Sequence, residues 1–126
     1  MKKIITTKEA PEAIGPYSQA VMASGQLFIS GQIALDPVTG EMVNVDIAAE
    51  TRQILKNLGA ILRAAGMGYA DVVQATVYLR DLDDFAAMNA VYSEFFKDDP
   101  PARATVEVSG LPKDARVEMA FISVKN

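Results

Sequence analysis

In two segments near the end of the chain, two kinds of side chain alternate from one residue to the next. The segments are residues 101–108, with the sequence PARATVEV, and residues 116–121, with the sequence RVEMAF. A period of two is typical of β-strands, whose successive side chains point to opposite faces of a sheet. The chain is therefore predicted to fold around a sheet that contains both segments.

This alternation places a carboxylate in an apolar setting. Glu118 shares its face with Ala120 and Ile122. Burial of a charged group in such a place is energetically unfavourable unless the group is paired or has a function. Arg103 and Thr105 share one face of the preceding strand. If these two faces lie on one side of the sheet, a cation, a hydroxyl and a carboxylate converge there. We predict the functional site at this convergence.

The remaining patterns predict the order βββ-α-β-α-ββ. Strand-like runs cover residues 3–6, 19–23, 26–33 and 71–80, and apolar stripes of helical spacing follow Asp46 and the pair Asp83-Asp84. We predict an α+β (mixed α/β) fold, a single domain over residues 1–126. It should have a mixed sheet of about six strands with both helices on one face.

The predicted strand directions leave one face of the sheet without cover. The face toward the helices is expected to carry Val73, Ala75, Val77, Leu79, Ala104, Val106, Val108, Val117, Met119 and Phe121. The other face would show Gln74, Thr76, Tyr78, Arg103, Thr105, Glu118, Ala120, Ile122 and Val124. A mixed polar and apolar face of this kind usually marks an association surface, so we predict a closed homo-oligomer.

Three further positions have two interpretations each. Tyr17 follows two prolines and a glycine, and is either a core phenol or part of a pocket. The pair Ser30-Gly31 interrupts an apolar strand, which indicates a bulge, a close approach of the backbone to another group, or a packing glycine. Asn89 lies among apolar residues of the second helix and either faces outward or belongs to a site.

Composition excludes several kinds of chemistry. The sequence has no cysteine and no histidine, which rules out thiolate nucleophiles, histidine-dependent triads and Cys/His zinc sites. A net charge of −4 argues against nucleic-acid binding. No apolar run is long enough for a signal peptide or a membrane span, so a cytoplasmic protein is expected.

The chemistry of the candidate residues suits a small acid. Arg103 offers a planar fork for a carboxylate, and Glu118 is a possible general base for water. Thr105, Tyr17 and Ser30 would add hydrogen bonds. The alternative is a purely structural ion pair, Arg103–Glu118 or Arg103–Glu107.

Several motifs resemble one known family from end to end. They are IGPYSQA at 14–20, FISGQ at 28–32, PAR at 101–103, VEV at 106–108, LP at 111–112 and VE at 117–118. They closely resemble the RidA (YjgF-like) family of reactive intermediate deaminases. The resemblance implies a chorismate-mutase-like fold and a homotrimer with clefts between subunits. Each cleft would hydrolyse 2-imino acids released by pyridoxal-phosphate dehydratases, with no metal or organic cofactor.

The resemblance also assigns roles to residues. Arg103 corresponds to the carboxylate-binding arginine and Glu118 to the carboxylate that positions water, while Tyr17, Ser30, Gly31 and Asn89 match further pocket positions. Thr105 stands where many members have a cysteine, and we include it among the substrate-binding residues. Two other functions stay open: a non-catalytic module that binds a small carboxylate, and, with less support, a ribonuclease or translation inhibitor.

Overall fold

The computed structural model describes residues 1–125 and contains eight regular elements in the predicted order. The strands are β1 (Lys3–Ile5), β2 (Ala20–Ala23), β3 (Gln26–Gln32), β4 (Val72–Leu79), β5 (Ala102–Glu107) and β6 (Val117–Val124). The helices are α1 (Ile47–Ala64) and α2 (Phe85–Phe95). The predicted order βββ-α-β-α-ββ is confirmed.

Local signals in the sequence set the ends of these elements. The Asp46 side chain accepts a hydrogen bond of 2.8 Å from the Ala49 backbone N–H and so caps the start of α1. Gly66, with φ of +74°, follows the end of α1 in the left-handed conformation that favours glycine. Ser24 and Gly25 both have positive φ and form the two-residue turn between β2 and β3.

The six strands form one mixed sheet in the order β1-β2-β3-β6-β4-β5. Only the β4–β5 pair is parallel among the pairs in the described chain, and it is joined through α2. β5 is therefore an edge strand, and β6 lies in the interior between β3 and β4. Both helices pack on the face formed by Ala75, Val77, Leu79, Val117, Met119 and Phe121, each of which is at most 1% exposed. The predicted six-stranded sheet with two helices on one face is confirmed, and so is the direction of the β6 side chains.

The predicted direction of the β5 side chains is wrong. Arg103 pairs with Ala75 and Thr105 with Val77, so both leave the sheet on the helix side. Ala104 and Val106 take the opposite face, where Val106 is 43% exposed. The apolar positions of this edge strand lie on the uncovered face, and its polar positions lie beside α2.

One residue of β4 is also on the face opposite to the prediction. The register with β6 passes from the pair Val72–Ser123 to the pair Gln74–Ile122. This step leaves Val73 as an extra residue on β4, which is a β-bulge. Val73 is 46% exposed as a result, and Val72 takes its place in the core.

No helix within residues 1–125 is long and apolar enough to cross a membrane.

Candidate active site

Arg103 is held by side chains of α2. Its Nη1 donates a hydrogen bond of 2.7 Å to Oδ1 of Asn89. Its Cζ lies 4.7 Å from the centre of the Tyr92 ring and 5.5 Å from that of Phe85. These distances are within the range of cation–π contacts. The guanidinium therefore has a fixed position at the sheet edge.

The Arg103 guanidinium forms no ion pair with a carboxylate in the part of the chain that the structure describes. Glu107 instead accepts a hydrogen bond of 2.9 Å from the backbone N–H of Leu82. Glu118 leaves the sheet on the opposite face. The ion pairs Arg103–Glu118 and Arg103–Glu107, considered above as the structural alternative, are absent from the salt bridges formed by residues 1–125. That alternative is wrong for a single chain.

Three hydroxyl groups on the helix side of the sheet, those of Tyr92, Thr105 and Ser123, are buried without a partner among the described residues, and the first two belong to the elements that contact or carry Arg103. Neither Thr105 Oγ1 nor the Tyr92 hydroxyl has a hydrogen bond to any described residue. Burial raises the pKa of Tyr92 above 10.0, against the opposing effect of the Arg103 charge, so the phenol is neutral at physiological pH. Buried polar groups normally have partners. Tyr92 and the free donors of Arg103 line a groove that fits a hydrogen-bonding ligand, whereas Thr105 is not among its lining residues.

We call this region the guanidinium groove. It has a volume of about 400 Å³ and is lined by Asn89, Tyr92, Ser93, Phe96, Pro100, Pro101 and Arg103. Its walls are largely apolar, and Arg103 is the only charged residue among the lining residues.

Glu118 lies on the other face, against the β3 strand. The register of β3 with β6 passes from Ile29–Phe121 to Gln32–Met119, so Ser30 and Gly31 form a bulge beside it. A Cβ at position 31 would overlap the Glu118 carboxylate and lie 2.9 Å from its Cδ. The predicted bulge and close approach at Ser30-Gly31 are confirmed. The absence of a side chain at Gly31 makes room for this carboxylate.

The environment of Glu118 favours its neutral form. The side chain is half-buried and accepts no hydrogen bond from the described residues. Desolvation raises the pKa of the Glu118 carboxyl above its ordinary value of 4.5. A carboxylate with a raised pKa is a better proton acceptor than an exposed glutamate, which suits a general base.

The Glu118 side chain lines a second region, which we call the carboxylate cavity. It has a volume of about 190 Å³, and its lining includes Ile14, Tyr17, Gln19, Gly31, Lys113 and Glu118. Tyr17 is 52% exposed and lines this cavity, so the interpretation of Tyr17 as a core phenol is wrong.

Two side chains hold the loop that carries Tyr17. The Ser30 hydroxyl donates a hydrogen bond of 2.6 Å to the Ser18 carbonyl, so it acts on the loop and does not line the cavity. Gln19 is 4% exposed. Its amide accepts from the Thr7 N–H at 2.7 Å and donates to the carbonyls of Thr7 and Pro11 at 3.0 and 2.7 Å. The role of Gln19 was missed in the sequence, where its only signal is a polar residue at the start of an apolar strand.

The structure therefore divides the predicted residues into two half-sites. Arg103, Asn89 and Thr105 lie on the helix side of the sheet, and Tyr17, Ser30, Gly31 and Glu118 lie on or beside the opposite face. The predicted convergence of Arg103 and Glu118 on one face of one chain is wrong. A site that uses both side chains has to be built from more than one chain.

Among residues 1–125, no group of three or more acidic side chains is arranged to hold a metal ion. The charged groups of the two half-sites are the cations Arg103 and Lys113 and the carboxylates Glu12 and Glu118, and hydroxyls and amides accompany them. These groups suit the binding of a small organic acid and the activation of water.

Comparison with known proteins identifies the family. The model of the Endoribonuclease L-PSP family matches residues 7–125. The chain belongs to this family. The chain is also 45% identical to the human 2-iminobutanoate/2-iminopropanoate deaminase, over 99% of this chain and 91% of the human protein.

Solved structures of similar proteins share the fold over nearly the whole chain. A Rid-family protein from Yersinia pestis is 45% identical and superimposes with a TM-score of 0.97, covering 99% of this chain and 100% of that one. TdcF from E. coli, solved with bound serine, is 43% identical with a TM-score of 0.94, covering 98% of this chain and 99% of that one. The resemblance to the RidA family stated from the sequence motifs is confirmed.

Proposed function

We propose that this protein hydrolyses reactive 2-imino acids, the imine tautomers of 2-aminoacrylate and 2-aminocrotonate, to 2-keto acids and ammonia. One observation carries the proposal: Arg103 is fixed by Asn89 and two aromatic rings, and its remaining donors face no carboxylate within the described chain. A guanidinium prepared in this way matches the carboxylate of an imino acid. The human relative named 2-iminobutanoate/2-iminopropanoate deaminase supports this substrate class.

The reaction follows from the charges of the two half-sites. Arg103 binds the substrate carboxylate through paired hydrogen bonds. The imine nitrogen is protonated, and the imine carbon stays open to attack. Glu118 accepts a proton from water as the water oxygen bonds to that carbon, which gives a carbinolamine. Glu118 returns this proton to the nitrogen, which becomes an ammonium group. The C–N bond then breaks, and the carbinolamine hydroxyl loses its proton to Glu118 as ammonia leaves and the keto group forms. General acid–base assistance of this kind contributes about 10²–10⁴-fold.

The remaining candidates support these two residues. Tyr17 lines the cavity next to Glu118 and would orient the substrate or water through its hydroxyl. Ser30 and Gly31 shape the Glu118 side, while Asn89 and Thr105 belong to the Arg103 side. Serine bound to TdcF shows that a relative with the same fold accepts a small amino acid.

We further propose a cyclic homotrimer in which neighbouring chains join a guanidinium groove to a carboxylate cavity. The uncovered sheet face supports this assembly, because it presents Phe28, Val73 and Val106, which are 43%, 46% and 43% exposed. Apolar side chains grouped on one face are typical of an interface. Light scattering after size exclusion tests this proposal, and a monomer at micromolar concentration would contradict it.

A coupled assay tests the activity. Threonine dehydratase, a pyridoxal-phosphate enzyme of the kind we propose as the substrate source, generates 2-aminocrotonate from threonine in the presence and absence of this protein. We expect faster loss of the imine with the wild-type protein and no acceleration with Arg103→Ala. If pyruvate binds to the protein but the imine disappears at the uncatalysed rate, the protein is a carboxylate-binding module and not an enzyme.

Ribonuclease activity, which the name of the family suggests, has less support. The net charge of −4 opposes the approach of a phosphate backbone. The sequence also has no histidine to act as the acid or base for RNA cleavage.

A further inference from the structure

One face of α2 is occupied by side chains that contact Arg103. Phe85, Asn89 and Tyr92 are spaced by four and three residues, so they lie above one another on the helix surface. Asn89 accepts one N–H of the guanidinium at 2.7 Å. The two rings lie 5.5 and 4.7 Å from its Cζ.

We infer that the rings of Phe85 and Tyr92 form a seat that fixes the Arg103 fork in its carboxylate-binding orientation. This inference rests on the proposed function, and it assigns positioning residues to that site. An arginine side chain has several rotatable bonds, and the single hydrogen bond to Asn89 leaves rotation about that bond possible. Contact with ring faces restricts this rotation and leaves the N–H edge of the guanidinium free for a ligand.

Tyr92 is more than a core residue in this arrangement. It is 5% exposed and packs at 4.7 Å on Phe96, as a core side chain does. Its hydroxyl, however, is buried near Arg103 without a hydrogen bond of good geometry, although a phenylalanine would fill most of the same space without a buried polar group. Its phenol is neutral, so the contact with Arg103 is one between a cation and a ring and not an ion pair.

The test replaces the rings and observes Arg103 directly. The Nε–H signal of Arg103 in a ¹H–¹⁵N NMR spectrum, assigned by its loss in Arg103→Lys, should show a ring-current shift in the wild-type protein. Tyr92→Leu should remove most of that shift, and Tyr92→Phe should restore it. Tyr69→Leu is the matched control, because Tyr69 is a second partly buried tyrosine that packs on Phe96, as Tyr92 does, but its ring is not one of the two that lie against the Arg103 guanidinium.

Kinetics give the second measurement. We expect Tyr92→Leu to raise KM for 2-iminobutanoate about threefold to thirtyfold, the range of a buried cation–π contact. The value of kcat should stay within about twofold, since the seat acts on binding. Phe85→Leu, at a position 38% exposed, should raise KM by a smaller factor, and it keeps the test available if Tyr92→Leu does not fold.

The two measurements separate the inference from the proposed function. An unchanged Arg103 signal in Tyr92→Leu and Phe85→Leu, or an equal change in Tyr69→Leu, would overturn the seat even if the protein is an active deaminase. A fall in kcat with unchanged KM would also overturn it. If the wild-type protein does not hydrolyse imines, the NMR result still decides whether the rings hold Arg103.

Discussion

Arg103 and Glu118 point to opposite faces of the same sheet. Arg103 pairs with the buried Ala75, whereas Glu118 pairs with Tyr78 on the uncovered face. The facing of β6 is fixed because its alternate residues fill the core, and the hydrogen bond from Arg103 to Asn89 holds the Arg103 side chain on the helix side. The two groups to which we assign imine hydrolysis are thus kept apart within one chain, so the proposed site requires that they meet between chains.

The first prediction concerns the shape of the cation. Arg103→Lys keeps the charge but loses the planar fork, so we expect kcat/KM to fall about tenfold to a hundredfold, the value of a lost charge-assisted hydrogen bond. Steady-state kinetics with 2-iminobutanoate measure this change. Arg52→Lys is the control, because Arg52 forms an exposed ion pair with Glu94 at 2.8 Å. Equal rates for the wild-type protein and Arg103→Lys would contradict the role of the fork.

The second prediction concerns the space beside Glu118. Gly31→Ala places a methyl group where the carboxylate lies, so the carboxylate has to move and we expect kcat to fall at least tenfold. Gly110→Ala is the matched control, because a Cβ at that position meets no atom within 4 Å. A crystal structure of Gly31→Ala should show a displaced Glu118. Full activity with Glu118 in its original position would show that the close approach has no function.

The third prediction concerns stability and pH. The pKa of Glu118 is raised in the folded state, so ionisation of this group reduces stability as the pH rises from below 4.5 through the raised value. Glu118→Gln removes this cost, and the variant should have a larger free energy of unfolding than wild type at pH 7 but not at pH 4. Urea denaturation at matched protein concentration measures both, with the exposed Glu9→Gln as control. A difference that does not depend on pH would contradict the desolvation of Glu118.

The fourth prediction concerns the loop that carries Tyr17. Gln19→Leu leaves the Thr7 N–H and the carbonyls of Thr7 and Pro11 without their partner, and we expect a loss of about 1–3 kcal/mol in the free energy of unfolding. Amide hydrogen exchange should increase in residues 7–17 relative to the sheet. Exposed Gln26→Leu is the control. Unchanged exchange in this segment would show that Gln19 does not hold the loop.

The strand assignments could be predicted because their signals are local. The alternation in β6 depends on burial by the two helices, and the core residues Val117, Met119 and Phe121 follow from it. The sequence left three interpretations open for Ser30-Gly31, namely a bulge, a close approach of the backbone and a packing glycine, and the structure shows the first two. Only the purpose of the bulge, which is to admit Glu118, required the structure.

The direction of β5 could not be predicted from its pattern. Ala104 and Val106 are the apolar members of this strand, and apolar side chains normally face the covering helices. β5 is an edge strand, however, and its uncovered face is suited to contacts with a second chain, while Arg103 is paired with Asn89 of α2. The pattern reports that one face is apolar, but it does not distinguish a core from an interface between chains.

Mixed assembly of two variants tests most directly whether the site is shared. Arg103→Ala and Glu118→Gln should each be nearly inactive alone. Co-expressed at equal levels and assembled at random in a cyclic oligomer, they should regain about one quarter of wild-type activity per chain, because a site needs Arg103 from one chain and Glu118 from its neighbour. Activity of the mixture no greater than that of the separate variants would contradict a site shared between chains.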